Sequence, residues 1–265
     1  MQSISIIYAY RNRERKRIKN SLESLSNQTN KKFEVVFVDY GSDEIYASKI
    51  KTEVESFSFA SYHYIAHPGL LWNKSKALNY ATLKAKGDFV FIADVDICFD
   101  KTAIENMHQL ANKNKFNLFK LTYLKDTVQQ SAIEKVNFTD SDIKHHGWVN
   151  GMVLVSKEAF FEVSGYDEFY HFYGSEDVDF YQRLTNLGIL KQENEKTLFY
   201  HQWHPIYNSI DDSVLEKNPR FFNIKRINQQ HFFYQKKENT IYPVLNQNTN
   251  EKIWYKKDRL YPEDA

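Results

Sequence analysis

Short apolar runs alternate with helical patterns through the first hundred residues. The runs at 3–8, 33–38, 62–65 and 89–93 are rich in β-branched and aromatic residues, which is typical of buried strands. Segments 15–26 and 73–86 place apolar residues at helical spacing, and Gly87 is expected to end the second helix. This alternation predicts an α/β fold with a parallel, doubly wound sheet, in which ligands bind beyond the carboxyl ends of the strands.

The pattern after residue 100 is less regular. It predicts strands at 116–124, 149–155 and 197–201, helices at 157–163 and 179–187, and a polar excursion at 125–146. Gly188 is expected to close the second of these helices. Because no repeat or low-complexity linker interrupts the chain, we expect one domain over residues 1–210, followed by a C-terminal extension at 211–265.

Composition narrows the class of protein. The chain has 265 residues, 42% of them hydrophobic, so it can bury a sizeable core. A net charge of +1 argues against a nucleic-acid partner, which would favour a strong basic surplus. The one cysteine, Cys98, excludes a disulfide framework and a zinc site built from cysteines. It also fits a reducing compartment.

The sequence predicts a cytoplasmic protein, because it has neither a signal-peptide core at its start nor an apolar stretch long enough to cross a bilayer. Residues 220–259 mix basic and aromatic side chains. That mixture favours a segment packed on the main domain with its charges in solvent. It also leaves open a peripheral contact with the inner face of a membrane.

Two aspartates directly follow the run at 89–93. A buried central strand does not normally end in two carboxylates, so Asp94 and Asp96 are expected to meet a cation. While the chain stays extended, both point the same way, and one can face a metal ion while the other reaches it through water or a ribose hydroxyl. His201 and His204 follow the last predicted strand. A set of aspartate and imidazole ligands suits Mn²⁺.

Several further motifs occur in a fixed order with this aspartate pair. They are Tyr10-Arg11-Asn12-Arg13, Val38-Asp39-Tyr40-Gly41-Ser42, Trp72-Asn73-Lys74-Ser75-Lys76-Ala77-Leu78-Asn79, Asn150-Gly151-Met152, Tyr173-Gly174-Ser175-Glu176-Asp177-Val178-Asp179 and His201-Gln202-Trp203-His204. The series resembles the GT-A glycosyltransferases, and specifically family 2 enzymes whose second half is similar to β-1,4-galactosyltransferases and chondroitin-type polymerases. The resemblance covers most of residues 3–205. It implies a GT-A fold, a Rossmann-like, mostly parallel sheet, with a donor half at about 1–100 and a less regular acceptor half at about 101–210.

The resemblance implies a site for a UDP-sugar donor in the first half. Asp39 matches the aspartate that hydrogen-bonds uracil, although its position also suits an ordinary helix cap. Cations before a helix are unfavourable without an anion, so Arg11 and Arg13 are expected to meet the diphosphate, whereas 15–17 are interpreted as a solvated basic face. The expected donor contacts are Tyr8, Arg11, Arg13, Asp39, Asn73, Lys76 and Asp94.

The resemblance also assigns the metal and the acceptor. Asp96, His204 and His201 fall on the three metal-ligand positions, with His201 differing from the family in residue type, and the ion is Mn²⁺ or Mg²⁺. Asp177 is implied as the base that accepts the proton of the acceptor hydroxyl. The residues expected to bind the acceptor are Glu176, Tyr173, Trp148 and Gly151, with Tyr166 a further candidate for the pocket.

The implied reaction is an inverting, metal-dependent transfer of galactose, GalNAc, GlcNAc or a similar sugar to a hydroxyl of a glycan or a lipid-linked glycan. Its expected setting is the synthesis of a bacterial surface polysaccharide. Two alternatives stay open. A nucleotidyltransferase acting on sugar phosphates would have a glycine-rich loop after the first strand, and residues 8–13 contain no glycine. A non-catalytic carbohydrate-binding module would use the 18 Tyr and 4 Trp, which aromatic content alone does not distinguish from core residues.

Overall fold

The computed structural model describes residues 3–66, 71–148, 151–205 and 221–243, with the side chains of 221–223 left out. The sequence-based expectations for 149–150, 206–220 and 244–265 lie outside the described residues. The described elements are, in chain order, β1 (Ile4–Tyr10), α1 (Arg15–Ser26), β2 (Phe33–Tyr40), α2 (Glu44–Glu55), β3 (Ala60–Ile65), α3 (Lys74–Lys84), β4 (Phe89–Ala93), β5 (Ile97–Phe99), α4 (Ala103–Leu110), β6 (Lys115–Phe119), β7 (Leu121–Leu124), α5 (Gln130–Lys135), a 3₁₀ turn (Asp140–Asp142), β8 (Ile143–Gly147), β9 (Val153–Ser156), α6 (Lys157–Glu162), α7 (Glu176–Asn186), β10 (Leu190–Asn194), β11 (Phe199–His201) and α8 (Phe221–Glu238).

A seven-stranded sheet with the order β10-β6-β9-β4-β1-β2-β3 forms the centre of the domain. Strand β1 pairs in parallel with β2 and with β4, and β9 runs antiparallel between β4 and β6. The predicted mostly parallel α/β sheet is confirmed. Because β1, β2 and β4 are parallel neighbours, the segments that follow them emerge at one edge of the sheet.

Helices cover both faces of this sheet, as its sequence pattern requires. On β1, Ile6 and Tyr8 belong to one buried cluster that includes Leu22 of α1, whereas Ile7 belongs to a second cluster that includes Leu78 of α3. This alternation explains why the strands are apolar on both faces. The strands that lead to the carboxyl edge are therefore packed on both faces.

A second sheet of four strands, with the order β5-β11-β7-β8, was only partly predicted. The predicted strand at 116–124 is two strands in different sheets, β6 and β7, which separate at Lys120. Within the predicted polar excursion at 125–146, the chain forms α5, a 3₁₀ turn and β8. Strands β5 and β10 and helix α4 were not predicted from the sequence. Strand β11 pairs antiparallel with β5, and this pairing sets His201 opposite Ile97.

The two glycines expected to end helices behave differently. Gly188 has φ +93° and follows α7, as predicted. Gly87 does not cap α3, which ends at Lys84 with Ala85 as its C-cap. Its role is a close approach instead, because a Cβ at this position would lie 2.7 Å from the main-chain nitrogen of Ser5. The Gly87 N–H also donates to Ser5 Oγ (2.8 Å).

In the described part of the chain, no helix combines the length and hydrophobicity that crossing a membrane requires.

We expect Gly87→Ala to destabilise the protein by about 1–3 kcal/mol, because the new methyl group would collide with the backbone of Ser5 as well as with its hydroxyl. Chemical denaturation measures this change. Lys86→Ala, at the exposed neighbouring position, is the control and should change stability little. Equal stability of Gly87→Ala and the wild type would contradict the close-approach interpretation.

Candidate active site

The aspartate pair lies where β4 leaves the main sheet. An extended chain was expected here, but the chain turns. The Ile97 N–H donates to the Asp94 carbonyl (3.2 Å). The turn sends the two carboxylates to different partners. Asp94 faces Lys74, whereas Asp96 faces the histidines of the β11 segment.

Asp96, His201 and His204 converge as the sequence predicted. The Asp96 carboxylate places Oδ1 3.6 Å from His201 Nε2 and Oδ2 3.3 Å from His204 Nε2. One ligand atom from each residue lies within 4.8 Å of the others, and in the described part of the chain this is the one group of three such residues. The His201 ring also packs against Tyr123, with centroids 5.2 Å apart.

This cluster fits a divalent cation. Asp96 Oδ1 is buried without a hydrogen-bond partner, and such an orphaned acceptor needs a cation or a donor. For metal–ligand bonds of about 2.1 Å, neighbouring ligands in an octahedron are about 3 Å apart, which is close to the spacing between Asp96 and His204. Burial lowers the pKa of His204, which favours the neutral imidazole that binds metals.

Gln202 fastens this cluster to the rest of the domain. Its buried amide donates to the carbonyls of Arg17 (2.8 Å) and Asp96 (3.1 Å) and accepts from Asn20 Nδ2 (2.7 Å). Its own N–H also donates to the Asp96 carbonyl (3.2 Å). Because Gln202 lies between His201 and His204 in sequence, these bonds fix the histidine segment relative to Asp96.

The interpretation of Arg17 as part of a solvated basic face is wrong. Its guanidinium is mostly buried and lies 3.7 Å from Asp96 Oδ2. A signal existed in the sequence, because Arg17, Asn20, Ser21 and Ser24 form a polar stripe at helical spacing beside the apolar face of α1. A helix that buries polar residues on one side needs polar partners there.

Lys74 was also missed, and it lies within electrostatic reach of three carboxylates, those of Asp94, Glu176 and Asp177. Its ammonium is 2.7 Å from Asp94 Oδ1. Burial alone would lower the pKa of Lys74, but the Asp94 and Glu176 carboxylates outweigh it and raise that pKa. Burial would raise the pKa of Asp94, and Lys74 reverses this and lowers it. Like Arg11 before α1, Lys74 lies at the N-terminal end of a helix, where a cation is unfavourable without nearby acids.

Glu176 and Asp177 begin α7 beside this lysine. Glu176 Oε2 accepts from the Gly174 N–H (2.9 Å), and Asp177 Oδ1 accepts from the Val178 N–H (2.8 Å). Burial raises the pKa of both carboxylates, and for Glu176 the neighbouring Asp177 charge adds to the rise. A carboxylate with a raised pKa is a stronger base than a free one.

The loop before these acids is conformationally strained. Phe172 and Ser175 have left-handed φ values of 60° and 76°, and Gly174 has φ +103°. Non-glycine residues in this region cost energy and occur where the surrounding structure enforces them. The loop exposes 63% of Tyr173, which leaves ring area available for a ligand.

The remaining acceptor candidates differ in their surroundings. A Cβ added to Gly151 would lie 3.4 Å from Lys74 Nζ, so Gly151 lies next to the central lysine. Trp148 is half-buried directly after β8. Tyr166 is buried, and the charges of Asp177 and Glu176 add to the rise that burial causes in its pKa.

Three of the predicted donor contacts are committed to the fold. The Tyr8 ring is fully buried, and its hydroxyl lies 2.6 Å from Ser21 Oγ, so the side chain belongs to the core, and a donor contact of Tyr8 stays a prediction. The Asn73 side chain caps α3 by accepting from the Lys76 N–H (2.8 Å), and it donates to the carbonyl of Glu168 (2.8 Å). These bonds leave the Asn73 amide little capacity for a donor sugar.

Asp39 is buried as well. It accepts from the Ser42 N–H and from the Tyr62 hydroxyl, both at 2.9 Å. Burial raises the pKa of Asp39, and the hydrogen bonds from Ser42 and Tyr62 and the Arg11 charge oppose that rise. Asp39 therefore supports the turn before α2, and contact with a base stays a prediction.

The other predicted donor contacts are more open. Arg11 and Lys76 are half-buried, and Arg13 is exposed. Burial raises the pKa of Asp94, and the positive charge of Arg13 helps to lower it, after the larger effects of Lys74 and His201. Arg13 thus lies within electrostatic reach of the aspartate pair.

Solved structures with similar folds support this architecture. S. aureus TarS 1–349 in complex with UDP-GlcNAc matches with a TM-score of 0.55 at 17% identity, over 89% of this chain and 71% of that one. The mannosyltransferase PcManGT from Pyrobaculum calidifontis, in complex with GDP-Man and Mn²⁺, matches with 0.56 at 18% identity, over 89% and 63%. GalNAc-T7 with UDP, GalNAc and Mn²⁺ matches with 0.58 at 13% identity, over 88% and 50%. The chain covers 37% of a longer TarS chain.

These similarities establish the GT-A fold. No curated protein matches the chain in sequence. The sequence model of the N-terminal domain of galactosyltransferase matches residues 132–204, which include both histidines and the acidic start of α7. The model of glycosyl transferase family 2 matches residues 5–163, more than half of the chain. The chain therefore belongs to glycosyl transferase family 2.

Proposed function

We propose that the protein is an inverting, metal-dependent transferase that moves a sugar from a UDP-sugar to a hydroxyl of a glycan acceptor. One observation carries this proposal. Lys74 bonds to Asp94 and also feels the charges of Glu176 and Asp177, while the His201 charge acts on Asp94, so both chemical centres lie within electrostatic reach of one ion pair. A sugar held between them would have its leaving group on one side and a base on the other.

The metal end of the cleft would hold the donor diphosphate. Asp96, His201 and His204 would hold Mn²⁺ or Mg²⁺, which supplies positive charge to the departing UDP. Arg17, next to Asp96, adds a cation that is fixed before the reaction. Such preorganised charge favours bond cleavage, since negative charge grows on the leaving group. Arg11, Arg13 and Lys76 are proposed to contact the same nucleotide.

The acidic end would activate the acceptor. Asp177 takes the proton of the acceptor hydroxyl as the hydroxyl oxygen bonds to the anomeric carbon. The bond between that carbon and UDP breaks at the same time, and UDP keeps the electron pair. One displacement from the opposite face inverts the anomeric configuration. Glu176 would bind a hydroxyl of donor or acceptor, and Tyr173, Trp148 and Gly151 would border the acceptor sugar.

The complexes of similar structures guide the choice of donor. The TarS structure contains UDP-GlcNAc, and the GalNAc-T7 structure contains UDP, GalNAc and Mn²⁺. They support a UDP-linked donor with a metal ion, whereas PcManGT holds GDP-Man. We place the enzyme in the cytoplasm, in the synthesis of a bacterial surface polysaccharide, with a glycan or lipid-linked glycan as acceptor.

The direct experiment incubates the protein with a panel of UDP-sugars and Mn²⁺ and measures thermal stabilisation and UDP release. We expect one UDP-sugar to raise the melting temperature in the presence of the ion, because binding to the native state stabilises it. The same sugar should release UDP when an acceptor is added. Release of pyrophosphate from a nucleoside triphosphate and a sugar phosphate would instead show a nucleotidyltransferase. Binding without release would show a carbohydrate-binding module.

Gln202→Ala should weaken Mn²⁺ binding by about tenfold or more, although Gln202 is not a proposed ligand, because residues that orient metal ligands typically have effects of this size. Mn²⁺ titration by calorimetry or by electron paramagnetic resonance measures the affinity. Gln182→Ala, whose side chain bonds to Asn186, is the matched control. Unchanged Mn²⁺ affinity in a folded Gln202→Ala protein would contradict the positioning role.

Asp177→Asn should lower the transfer rate by about 10²- to 10⁴-fold with donor affinity nearly intact, as expected for the loss of a general base. The same substitution should raise the melting temperature at pH 7. Folding raises the pKa of Asp177, so the ionised side chain destabilises the native state once the pH exceeds the pKa of a free aspartate. The neutral amide of asparagine removes this destabilisation.

The stability gain of Asp177→Asn should therefore shrink as the pH falls toward the pKa of a free aspartate, about 3.9. Asp126→Asn, at an exposed position, is the control for charge removal. Normal turnover in Asp177→Asn would remove Asp177 from its proposed role. A stability gain that is the same at every pH would contradict the burial argument.

A further inference from the structure

Helix α8 packs against the domain through polar residues. Asn228 and Gln235 are buried, and His231 is mostly buried. Gln235 Nε2 donates to Asp167 Oδ2 (2.7 Å) and to Asp179 Oδ1 (2.9 Å), and His231 Nε2 lies 2.7 Å from Asp167 Oδ2. These contacts hold the helix in one orientation, because rotating it would leave buried carboxylates without partners.

The opposite side of α8 exposes three apolar residues. Ile227, Phe233 and Tyr234 are 48%, 65% and 52% exposed. At about 100° per residue, Arg226 and Lys237 lie between Phe233 on one flank and Tyr234 and Ile227 on the other. We call these five residues the outer face of α8. Three large apolar residues exposed on one helix, with polar residues buried on its other side, depart from the usual pattern of a surface helix.

We propose that the outer face of α8 docks on an anionic lipid surface. Aromatic and aliphatic side chains interspersed with lysine and arginine are the composition of helices that lie in the membrane interface. The helix contains four basic residues, Lys225, Arg226, Lys236 and Lys237, against one acidic residue, Glu238. A second copy of this face is a poor partner, because pairing would bring like charges together. Anionic headgroups complement the charge, and the acyl boundary accepts the apolar side chains.

The location of α8 connects this surface to the acceptor side of the cleft. Asn228 Nδ2 donates to the carbonyls of His171 (2.9 Å) and Tyr173 (3.3 Å), and Lys225 Nζ lies 5.5 Å from the centre of the Tyr173 ring. A docked α8 would therefore hold the strained loop before Glu176 beside the bilayer. This consequence rests on the proposed function, and it favours an acceptor whose glycan is attached to a membrane lipid.

The test is co-sedimentation of the 265-residue chain with vesicles of phosphatidylcholine, alone or mixed with phosphatidylglycerol, without donor or metal. We expect binding to the anionic vesicles and release at high salt. The double substitution Phe233→Ser/Tyr234→Ser should weaken binding by about tenfold or more, since it removes the aromatic area that docking would bury in the membrane. Arg226→Gln/Lys237→Gln should weaken it through charge alone. Leu190→Ser, which changes a residue 62% exposed on β10, is the matched control and should bind normally.

Absence of binding to anionic vesicles would overturn the proposal. Binding that neither double variant weakens would overturn it as well, since another surface would then be responsible. Sedimentation of the protein as a dimer that Phe233→Ser/Tyr234→Ser dissociates would assign the face to a second copy instead. If Phe233→Ser/Tyr234→Ser does not fold, the charge variant decides. UDP release with a water-soluble acceptor, measured on the same variants, should stay unchanged, so failure of the transferase proposal is recognised separately.

Discussion

Crowding of negative charge at one edge of the sheet is the constraint on which the cleft depends. Asp94, Asp96, Glu176 and Asp177 are all partly or largely withdrawn from water, and burial raises the pKa of the last two. Within the described residues, Lys74 compensates Asp94 directly, while Asp96 keeps one buried oxygen without a hydrogen-bond partner. Buried carboxylates with a raised pKa or an oxygen without a partner cost stability in the absence of ligands, so the structure favours the binding of cations and hydroxyl groups. The same imbalance supplies both halves of the proposed reaction, a metal position and a base.

The scaffold around the cleft holds this charge in place through ordinary packing and hydrogen bonds. Pairing of β11 with β5 brings the histidine segment to Asp96, and Gln202 then fixes it against α1. On the acceptor side, the buried polar residues of α8 hold the helix to the domain, and Asn228 bonds to the loop that carries Tyr173. The metal end and the acceptor end thus rest on different elements, the small sheet and the C-terminal helix. The Asp94–Lys74 ion pair connects them.

Sequence patterns predicted the parts of this protein that follow local rules. Strands such as β4 and helices such as α1 have clear periodicity, and the motif order indicated the GT-A fold and the convergence of Asp96, His201 and His204. Short strands such as β5 escaped prediction because three residues carry no period, and β6 and β7 were merged because only tertiary pairing separates them. Lys74, Arg17 and Gln202 were missed for a related reason. A long polar side chain looks solvated in sequence until its buried partner is known. Tyr8 shows a second limit of sequence patterns. Its position near a strand end does not reveal that its ring turns into the core.

The central claim is that a divalent ion bound by Asp96 and the two histidines holds the diphosphate of a UDP-sugar. Anomalous X-ray scattering from crystals grown with UDP and Mn²⁺ tests it most directly. The account predicts one strong manganese peak at bonding distance, about 2.0–2.4 Å, from the Asp96 carboxylate and from His204 Nε2, with phosphate oxygens completing its ligands. A peak bound by Glu176 and Asp177 instead, or UDP bound with no manganese near Asp96, would contradict it.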